Sequence, residues 1–552
     1  MCTLSSADFG IFPDSGLDST LLFQQMLKAA RAATAPVQIL FEPGRYDFHP
    51  EHAEEHFCFL SNNDEGLKRA ACWLDSLNDI TVDGQGATFI LHGQMAGFLC
   101  FNCRGLTLKN FTVDWERPFL TQARITGSSP SHLDIEFDED ESWRTSGGKL
   151  LLRAEGWESA LGGLLEVDPH TRAPAYRSGD HCGAPWHSQY LADQSGARGV
   201  RLVNTFSRPG IPGNSVVLTD HSRLHPVIAL TGCDGVLLEN IRIHHALAMA
   251  VLAQRSANLT LRRVDVCLAA GSKRLFTACA DATHFVNCAG HIQMEDCLHE
   301  NMLDDATNIH GIYAQVTDRL DAHTLLVKRV HAQQKGAFIA MAGDTVRLVK
   351  GGSLVPLGEV AVESVENINR EFVKITFATH TPLADRGVLV ENLTWTPSAT
   401  IRRCTVHQNR ARGYLLSTPR KTLVEDCTFS PGGPAVMAAG EGRYWFESGA
   451  VEDLTLRNNR FIDCCRGPWG RAVIDISPSL APEPDGRVPF HKNIRIEGNV
   501  FETFDHGILY ADNVADLVFR GNTVKRTATF TPYGEQFEPV VLTHCTNAVV
   551  KE

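Results

Sequence analysis

Short segments of one pattern, apolar-x-apolar-x-polar, recur along most of this chain and constrain its fold more than any other feature. Alternating apolar and polar residues are typical of β-strands, and a repeat in the low twenties is typical of a solenoid. Matching positions keep one interval of 23 residues: Val236 and Leu259, Cys404 and Cys427, Ile494 and Leu517. Asn, Gly and Asp separate the segments and leave little room for the helices of a leucine-rich repeat. The sequence therefore predicts an all-β fold, a right-handed parallel β-helix whose coils bury their apolar sides against one another.

Asparagines follow several of the predicted strands. Asn adopts left-handed backbone conformations easily, so we interpret these residues as structural turn or ladder positions. They are Asn110, Asn240, Asn458, Asn499 and Asn522.

The repeat is interrupted twice, at residues 117–226 and at residues 312–397. Each interruption contains alternating strands with turns, which predicts a small inserted β-barrel, and such inserts usually wall a cleft on a solenoid. The remaining segments are expected to form the first coils (1–116), the central coils (227–311) and the C-terminal coils (398–552). In the first of these, "LDSTLLFQQMLKAARAA" has apolar residues at helical spacing, which predicts a helix that caps the open end of the solenoid.

Composition excludes some functional classes. The net charge is -13 and no run of Lys or Arg is present, so nucleic acid is not an expected partner. No stretch approaches the ~18 consecutive apolar residues of a membrane span. The N-terminus lacks a basic region followed by an apolar one, so either the protein is intracellular or its export signal is absent from this sequence.

The 16 cysteines include a single C-x2-C, Cys100 and Cys103. We expect most of the cysteines to pack in the core rather than bind metal.

Two adjacent carboxylates, Asp304 and Asp305, lie in "HENMLDDATNIHG". Asp281 precedes Asp304 by the repeat interval of 23 residues, which predicts that the two lie in neighbouring coils, ~4.8 Å apart in backbone. Three carboxylates this close repel one another, which raises at least one pKa. Such a set offers the protonated acid and the ionised base that glycoside hydrolysis needs.

Simpler interpretations of these aspartates exist. An isolated Asp-Asp pair is usually a solvated turn, and an aspartate cluster on a β-helix also suits Ca²⁺. The repeat interval to Asp281, together with the insert that begins directly after the motif, favours catalysis.

Side chains suited to sugar recognition occur near the aspartates. A Trp face stacks on the C–H side of a sugar ring, while carboxylate, amide, imidazole and guanidinium groups bind hydroxyls. A self-packed aromatic loop, a solvated arginine and structural histidines are the alternatives. The candidates are His284, Asn308, His310, Arg412, Trp445 and Glu447.

Several segments together resemble glycoside hydrolase family 110. They include "FPDSGLDSTLLFQQMLKAA", "SNNDEGLKRAACWLDSLNDITVDGQGATF", "ENMLDDATNIHGIY", "RARGYLLSTPRKTLVEDCTF" and "YWFESGAVEDLTLRNNRF". The resemblance covers nearly the whole chain in order, both interruptions included.

This resemblance implies a β-helix with two inserted β-barrels and an exo-acting α-1,3-galactosidase that inverts configuration without a cofactor. Implied substrates are the blood group B determinant, the linear α-1,3-galactosyl epitope and related galactans. The family's essential aspartates correspond to Asp281, Asp304 and Asp305, with Asp304 as acid and the other two sharing the water as our working assignment. The resemblance also implies export from the cell and allows a homodimer.

Two rival functions stay open at this point. A polygalacturonase-like hydrolase is also a β-helix with an Asp-Asp pair, but its Gly-His-Gly and Arg-x-Lys segments are not found here. A non-catalytic β-helical glycan-binding module would bind galactosides without needing all three aspartates.

Overall fold

A computed structural model describes residues 2–34, 36–381, 385–468, 470–482, 488–533 and 538–551. The chain winds through successive coils that contribute strands to two long sheets, in which strands of neighbouring coils pair in parallel. Val236 pairs with Leu259 and Ile494 with Leu517, as the 23-residue interval predicts. The predicted all-β parallel β-helix is confirmed.

The first sheet, called here the wide sheet, contains twenty strands within the described ranges, because most coils enter it with two strands separated by a bend. Its strands are Cys2–Ser5, Val37–Leu40, Gly44–Phe48, Ile80–Leu91, Thr107–Trp115, Asp234–Ile243, Ala257–Val266, Ala289–Glu295, Leu298–Glu300, Ser398–Arg402, Thr405–His407, Thr422–Glu425, Thr428–Ser430, Leu454–Arg457, Arg460–Ile462, His491–Glu497, Val500–Thr503, Val514–Arg520, Thr523–Arg526 and Val549–Lys551.

The second sheet, the narrow sheet, contains thirteen strands in the part of the chain that the structure describes, and it receives one strand from most coils. Two of its pairings are antiparallel: the hairpin of its first two strands, and the pairing of Glu447–Ser448 with Thr307–Ile312. Its strands are Glu54–Phe59, Glu65–Asp75, Ala96–Phe101, Ile228–Thr231, Val251–Gln254, Thr283–Val286, Thr307–Ile312, Tyr414–Leu416, Val436–Ala438, Glu447–Ser448, Ile474–Ile476, Leu509–Asp512 and Val540–Thr543.

One continuous apolar core fills the space between the two sheets. Its regularity follows from the repeat, because each coil places an apolar residue directly over its counterpart in the coil before. Along the wide sheet this gives a buried aliphatic ladder: Ile401, Val424, Leu456 and Ile496. All sixteen cysteines are free and twelve are buried, so the expected core packing of most cysteines is confirmed.

The asparagines have two structural roles. Asn110, Asn240 and Asn458 adopt the left-handed conformation, with φ of 60°, 54° and 56°. Asn499 and Asn522 instead form a ladder with Asn459. The backbone N–H of Asn459 donates to Oδ1 of Asn499, and the backbone N–H of Asn499 donates to Oδ1 of Asn522, both at 2.9 Å. The ladder satisfies backbone donors at stacked turns, which the coil repeat brings into line.

The first interruption holds a seven-stranded and a three-stranded antiparallel sheet that share one apolar core. The seven strands are Thr121–Ser129, His132–Glu136, Gly163–Asp168, Ala173–Pro174, Leu191–Ser195, Gly199–Val203 and Ser215–Thr219. The other three are Trp143–Ser146, Lys149–Ala154 and Trp157–Ala160. All lie inside the range that the break in the repeat delimits.

The second interruption is a closed six-stranded barrel with its own aliphatic core. Its strands are Ala314–Arg319, Thr324–Lys328, Thr345–Val349, Pro356–Asn367, Phe372–Phe377 and Leu389–Asn392. It leaves the solenoid at the end of Thr307–Ile312 and returns before Ser398–Arg402, so it stands beside the Asp304–Asp305 motif.

Helices are few. The predicted cap helix spans Thr20–Ala32, and Phe23, Met26, Leu27 and Ala30 bury its apolar face in the solenoid core. Short 3-10 helices span Ser6–Phe9, Pro50–His52, His181–Gly183 and Ala332–Gln334. Among the described residues no helix is long and apolar enough to cross a membrane.

We expect Leu27→Ala to lower the free energy of unfolding by about 2–5 kcal/mol, because truncation of a fully buried leucine removes apolar contacts and leaves a cavity. Leu21 lies on the same helix but is 49% exposed, so Leu21→Ala is expected to change it by only about 0.5 kcal/mol. Urea unfolding of both variants measures the difference. Equal losses would contradict the capping role of this helix.

Candidate active site

The predicted catalytic residues lie at the start of consecutive strands of the narrow sheet. Asp281 precedes Thr283–Val286, and Asp304 and Asp305 precede Thr307–Ile312 in the next coil. Because parallel strands stack in register, residues that precede neighbouring strands share one edge of the sheet. The nearest carboxylate oxygens of the three aspartates lie within 4.8 Å of one another.

The register between these coils differs from the predicted one by one residue. Thr283 pairs with Thr307, so the interval here is 24 residues and Asp281 stands level with Asp305 rather than with Asp304. The backbone N–H of Ala282 donates to the carbonyl of Asp305 at 3.1 Å, which fixes this register. The alignment of Asp281 with Asp304 was therefore wrong, although the three side chains still converge. A bend before the strand lets both adjacent carboxylates reach the same site.

Arginines surround Asp304. Arg223 Nη2 donates to Asp304 Oδ2 at 2.5 Å, and Nη1 of Arg410 lies 3.8 Å from Oδ1. Arg410 is itself held by a bidentate pairing with Asp180 of the first insert, at 2.6 and 2.5 Å. Burial raises the pKa of Asp304, but the charges of Arg223, Arg410 and Arg412 outweigh it and hold the pKa below the ordinary value. Asp304 is therefore ionised at neutral pH.

Asp305 is almost fully buried and pairs with one arginine. Its oxygens accept four hydrogen bonds from Arg412, through the backbone N–H, Nε and Nη2, at 2.8 to 3.0 Å. Burial raises the pKa of Asp305 to about 7, with Arg412 acting in the opposite direction. Since N–H donors occupy both oxygens, a proton shared by the three aspartates is better accommodated on Asp281.

Asp281 faces a histidine rather than an arginine. Its Oδ2 lies 2.5 Å from Nδ1 of His284, and its Oδ1 accepts the backbone N–H of Asp305 at 3.1 Å. Burial, with the nearby Asp304 charge, raises the pKa of Asp281 to about 8. Burial lowers the pKa of His284 to about 4. At neutral pH Asp281 is therefore a neutral acid beside a neutral imidazole.

The other predicted substrate-binding residues extend from this group along the narrow sheet. His284 pairs in register with Asn308, and His310 lies two residues further on the same face. Oδ1 of Asn308 is buried and has no hydrogen-bond partner among the described residues. Oε1 of Glu447 lies 3.6 Å from Nε2 of His310, on a short strand that pairs with Thr307–Ile312.

An open cleft of about 1250 Å³ lies above the aspartates, between the solenoid and the first insert. Asp304, Arg412 and Trp445 line it. Glu447 is partly exposed, and the other predicted site residues are buried. Trp186 of the first insert lines it as well, with 56% of its surface exposed. Trp445 is 38% exposed and packs against His331 of the second insert. Both inserts thus contribute to the cleft, as solenoid inserts are expected to do.

Sequence reasoning missed three residues of this site. Arg223 follows the last strand of the first insert, where no repeat marks its position, and Asp180 lies in that insert's loops. Trp186 lies in the same region and carries no motif. Arg410, which sequence alone does not separate from a solvated arginine, is held between Asp180 and Asp304. Only the tertiary contacts between insert and solenoid reveal these residues.

The three aspartates are also spaced as a set that could hold a cation. Arg223 and Arg412, however, already donate to Asp304 and Asp305, and Asp281 is protonated at neutral pH. A cation at this position would have to displace these guanidinium groups. The site therefore suits acid–base chemistry better than metal binding.

The chain is similar to several known proteins. Family models described as GLAA-B beta-barrel domain I and domain II match residues 121–216 and 324–384. An α-1,3-galactosidase B of Bacteroides thetaiotaomicron is 33% identical to this chain, and the match covers 99% of this chain and 90% of the length of that protein. An α-1,3-galactosidase A of Shewanella woodyi is 31% identical over 99% of this chain and 90% of its own. The solved structure of a mannuronan C-5 epimerase module of Azotobacter vinelandii is 10% identical in sequence, with a TM-score of 0.41. The match covers 98% of this chain and 96% of that module.

Carboxylates beside an open cleft are the groups that glycoside hydrolysis uses, and the two α-1,3-galactosidase relatives place this chain among the glycoside hydrolases. The whole-chain identity to the two bacterial relatives makes the assignment more specific. The chain belongs to the α-1,3-galactosidase family, which confirms the resemblance recognised in its sequence.

We expect Asp281→Asn to stabilise the protein relative to wild type at pH 9, and to do so less at pH 6. The folded-state pKa of about 8 exceeds the value of about 3.9 in an unfolded chain, so the folded state binds the extra proton between these values. The stability that this proton contributes is lost as pH rises through about 8. Asn resembles the protonated acid and does not ionise. Thermal unfolding across this pH range measures the effect.

Asp304→Asn is the matched control, because Asp304 is the aspartate whose pKa is lowered. It removes a carboxylate that is stabilised in the folded state, so the variant is expected to be destabilised at both pH values. A gain for Asp281→Asn that did not grow with pH would contradict the assignment of the proton to Asp281.

Proposed function

We propose that this protein is an exo-acting α-1,3-galactosidase that hydrolyses terminal α-1,3-linked galactose from glycans, with inversion of configuration. The observation that carries the proposal is the group of Asp281, Asp304 and Asp305 below an open cleft, in a chain whose relatives are α-1,3-galactosidases. The blood group B determinant, the linear α-1,3-galactosyl epitope and related galactans are the substrates we expect. A polygalacturonase-like hydrolase is the second candidate.

The cleft suits a neutral sugar. Trp445 and Trp186 present partly exposed ring faces to it, and ring faces stack on sugar C–H groups. The unpartnered Oδ1 of Asn308 is a buried acceptor that a sugar hydroxyl would satisfy. Because Arg223 and Arg412 already pair with aspartates, the anionic substrate of a polygalacturonase would have to compete for their guanidinium groups.

We assign Asp304 as the general acid, because it is the aspartate that lines the cleft and can reach a glycosidic oxygen. Asp281 and Asp305 then share the attacking water. In the resting protein Asp281 carries a proton and Asp304 is ionised. Hydrolysis ends with the same distribution, because the acid has given its proton to the leaving oxygen and the base has taken one from water. The nearest oxygens lie within 4.8 Å, less than the ~6.5–9.5 Å usual for inverting enzymes, so inversion rests on the family resemblance.

The direct test is incubation with blood group B oligosaccharide, linear α-1,3-galactobiose and oligogalacturonide, followed by ¹H NMR. We expect galactose from the galactosides, with β-galactose appearing first, and an unchanged rate in EDTA. Release of α-galactose first would contradict inversion. Cleavage of oligogalacturonide alone would favour the polygalacturonase-like function, and binding without any release would favour a glycan-binding module.

Leaving-group dependence tests the roles of the aspartates. We expect Asp304→Asn to lower kcat by about 10²–10⁴-fold on an α-1,3-galactoside, because the leaving oxygen is no longer protonated. The same variant should retain much more activity on α-galactosyl fluoride, whose leaving group needs no proton. Asp305→Asn should be impaired on both substrates. Equal impairment of Asp304→Asn on both would contradict its role as the acid.

The homodimer that the family resemblance allows belongs to this proposal too. Light scattering of the purified chain measures it, and a monomer mass would remove it from the proposal.

A further inference from the structure

A line of buried hydrogen bonds leads away from Asp281 along the narrow sheet. Oδ2 of Asp281 lies 2.5 Å from Nδ1 of His284, whose Nε2 lies 2.9 Å from Nε2 of His310. Nδ1 of His310 lies 2.7 Å from the carbonyl oxygen of Gly311. Both histidines are 1% exposed, so these contacts form without competition from bulk water.

The partners fix where the protons are. The carbonyl of Gly311 only accepts, so Nδ1 of His310 carries a hydrogen, and a neutral His310 then offers a lone pair at Nε2. His284 must therefore donate through its own Nε2, which leaves a lone pair at Nδ1. The contact with Asp281 then requires a proton on Oδ2, since Oδ1 already accepts the backbone N–H of Asp305.

The same heavy-atom positions accommodate a second arrangement of the protons. The O–H bond of Asp281 breaks as an N–H bond forms at Nδ1 of His284. At the same time the N–H bond at Nε2 of His284 breaks and one forms at Nε2 of His310. Asp281 becomes a carboxylate and His310 an imidazolium, 3.6 Å from Oε1 of Glu447. The net result is that one proton has moved from Asp281 to His310, which becomes positively charged beside the carboxylate of Glu447.

We propose that His284, His310 and Glu447 form a proton relay that converts Asp281 from carboxylic acid to carboxylate in each catalytic cycle. The proposal rests on the proposed glycosidase function. Hydrolysis leaves Asp281 with the proton of the attacking water and leaves Asp304 ionised. Before the next turnover Asp304, which lines the open cleft, must take up a proton from solvent, and a proton must leave Asp281. The relay carries it toward Glu447, whose side chain is 14% exposed and follows the cleft-lining Trp445 by two residues.

Other charged groups near the relay set its resting state. Asp304, Arg223 and Arg412 face Asp281, while Glu447, Arg223, Asp305 and Asp304 surround His284. Burial lowers the pKa of His310, and the nearby Glu447 raises it. Burial raises the pKa of Asp281 to about 8 and lowers that of His284 to about 4, which favours the arrangement with the proton on Asp281. In this scheme His284, His310 and Glu447 are positioning residues that act through Asp281.

His310→Gln separates proton transfer from hydrogen bonding. The amide oxygen of Gln can still accept from Nε2 of His284 but does not take up a proton. We expect kcat on an α-1,3-galactoside to fall by about 10²-fold at unchanged KM. The acidic limb of the kcat profile, where solvent protonates His310 and blocks the relay, should also disappear. A kcat and pH profile like those of wild type would overturn the relay.

His245→Gln is the matched control. His245 is also fully buried and lies with Nδ1 2.7 Å from a carbonyl oxygen, that of Thr277, but it has no contact with the aspartates. The His245→Gln variant measures the effect of replacing a buried histidine outside the relay. We expect its kcat and its pH profile to equal those of wild type. A loss equal to that of His310→Gln, with the same change of pH profile, would assign the effect to packing and overturn the relay.

A second measurement needs no activity. ¹⁵N NMR of histidine-labelled protein at neutral pH should find His284 protonated at Nε2 and His310 at Nδ1, both neutral. Any other tautomer pair overturns the relay as drawn. If wild type released no galactose from any α-1,3-galactoside, the proposed function would fail, whereas the tautomers would still decide whether the hydrogen-bonded chain exists.

Discussion

The stacking of three carboxylates at one edge of a parallel sheet is the constraint on which the rest of this site depends. A β-helix brings the starts of neighbouring strands within about 5 Å of each other, so Asp281 and Asp305 meet as soon as their coils pair. Three negative charges at this distance, two of them on buried residues, are unstable unless they are neutralised or protonated. The structure uses both solutions, because arginines pair with Asp304 and Asp305 while Asp281 keeps a proton beside His284.

The need for compensation explains how the first insert is tied to the solenoid. Arg223 follows the insert's last strand and reaches Asp304, and Asp180 from the insert's loops pairs with Arg410 of a later coil. These ion pairs are largely buried, with side chains 16–23% exposed, so loss of one partner would leave a poorly compensated charge. The same contacts that neutralise the site therefore also position the insert that walls the cleft, and Trp186 with it.

The second insert, unlike the first, folds independently of the charged groups of the site. It closes on itself as a six-stranded barrel with its own core, so its fold does not depend on the site. Its contribution comes from placement, since it leaves the solenoid directly after the strand that carries Asn308 and His310. His331 in this insert packs against Trp445, and Trp445 lines the cleft.

The sequence by itself determined the β-helix, the cap helix, the two interruptions and the convergence of Asp281, Asp304 and Asp305, because each follows from local periodicity or from a repeat interval. It did not determine the register, where 24 residues replace 23 and Asp305 takes the place expected for Asp304. Nor did it determine the pairing of Arg223 or Asp180, whose partners are distant in sequence and lie in segments without a repeat. Only the tertiary structure decided these contacts, because buried charges select partners by distance in space, which periodicity along the chain does not encode.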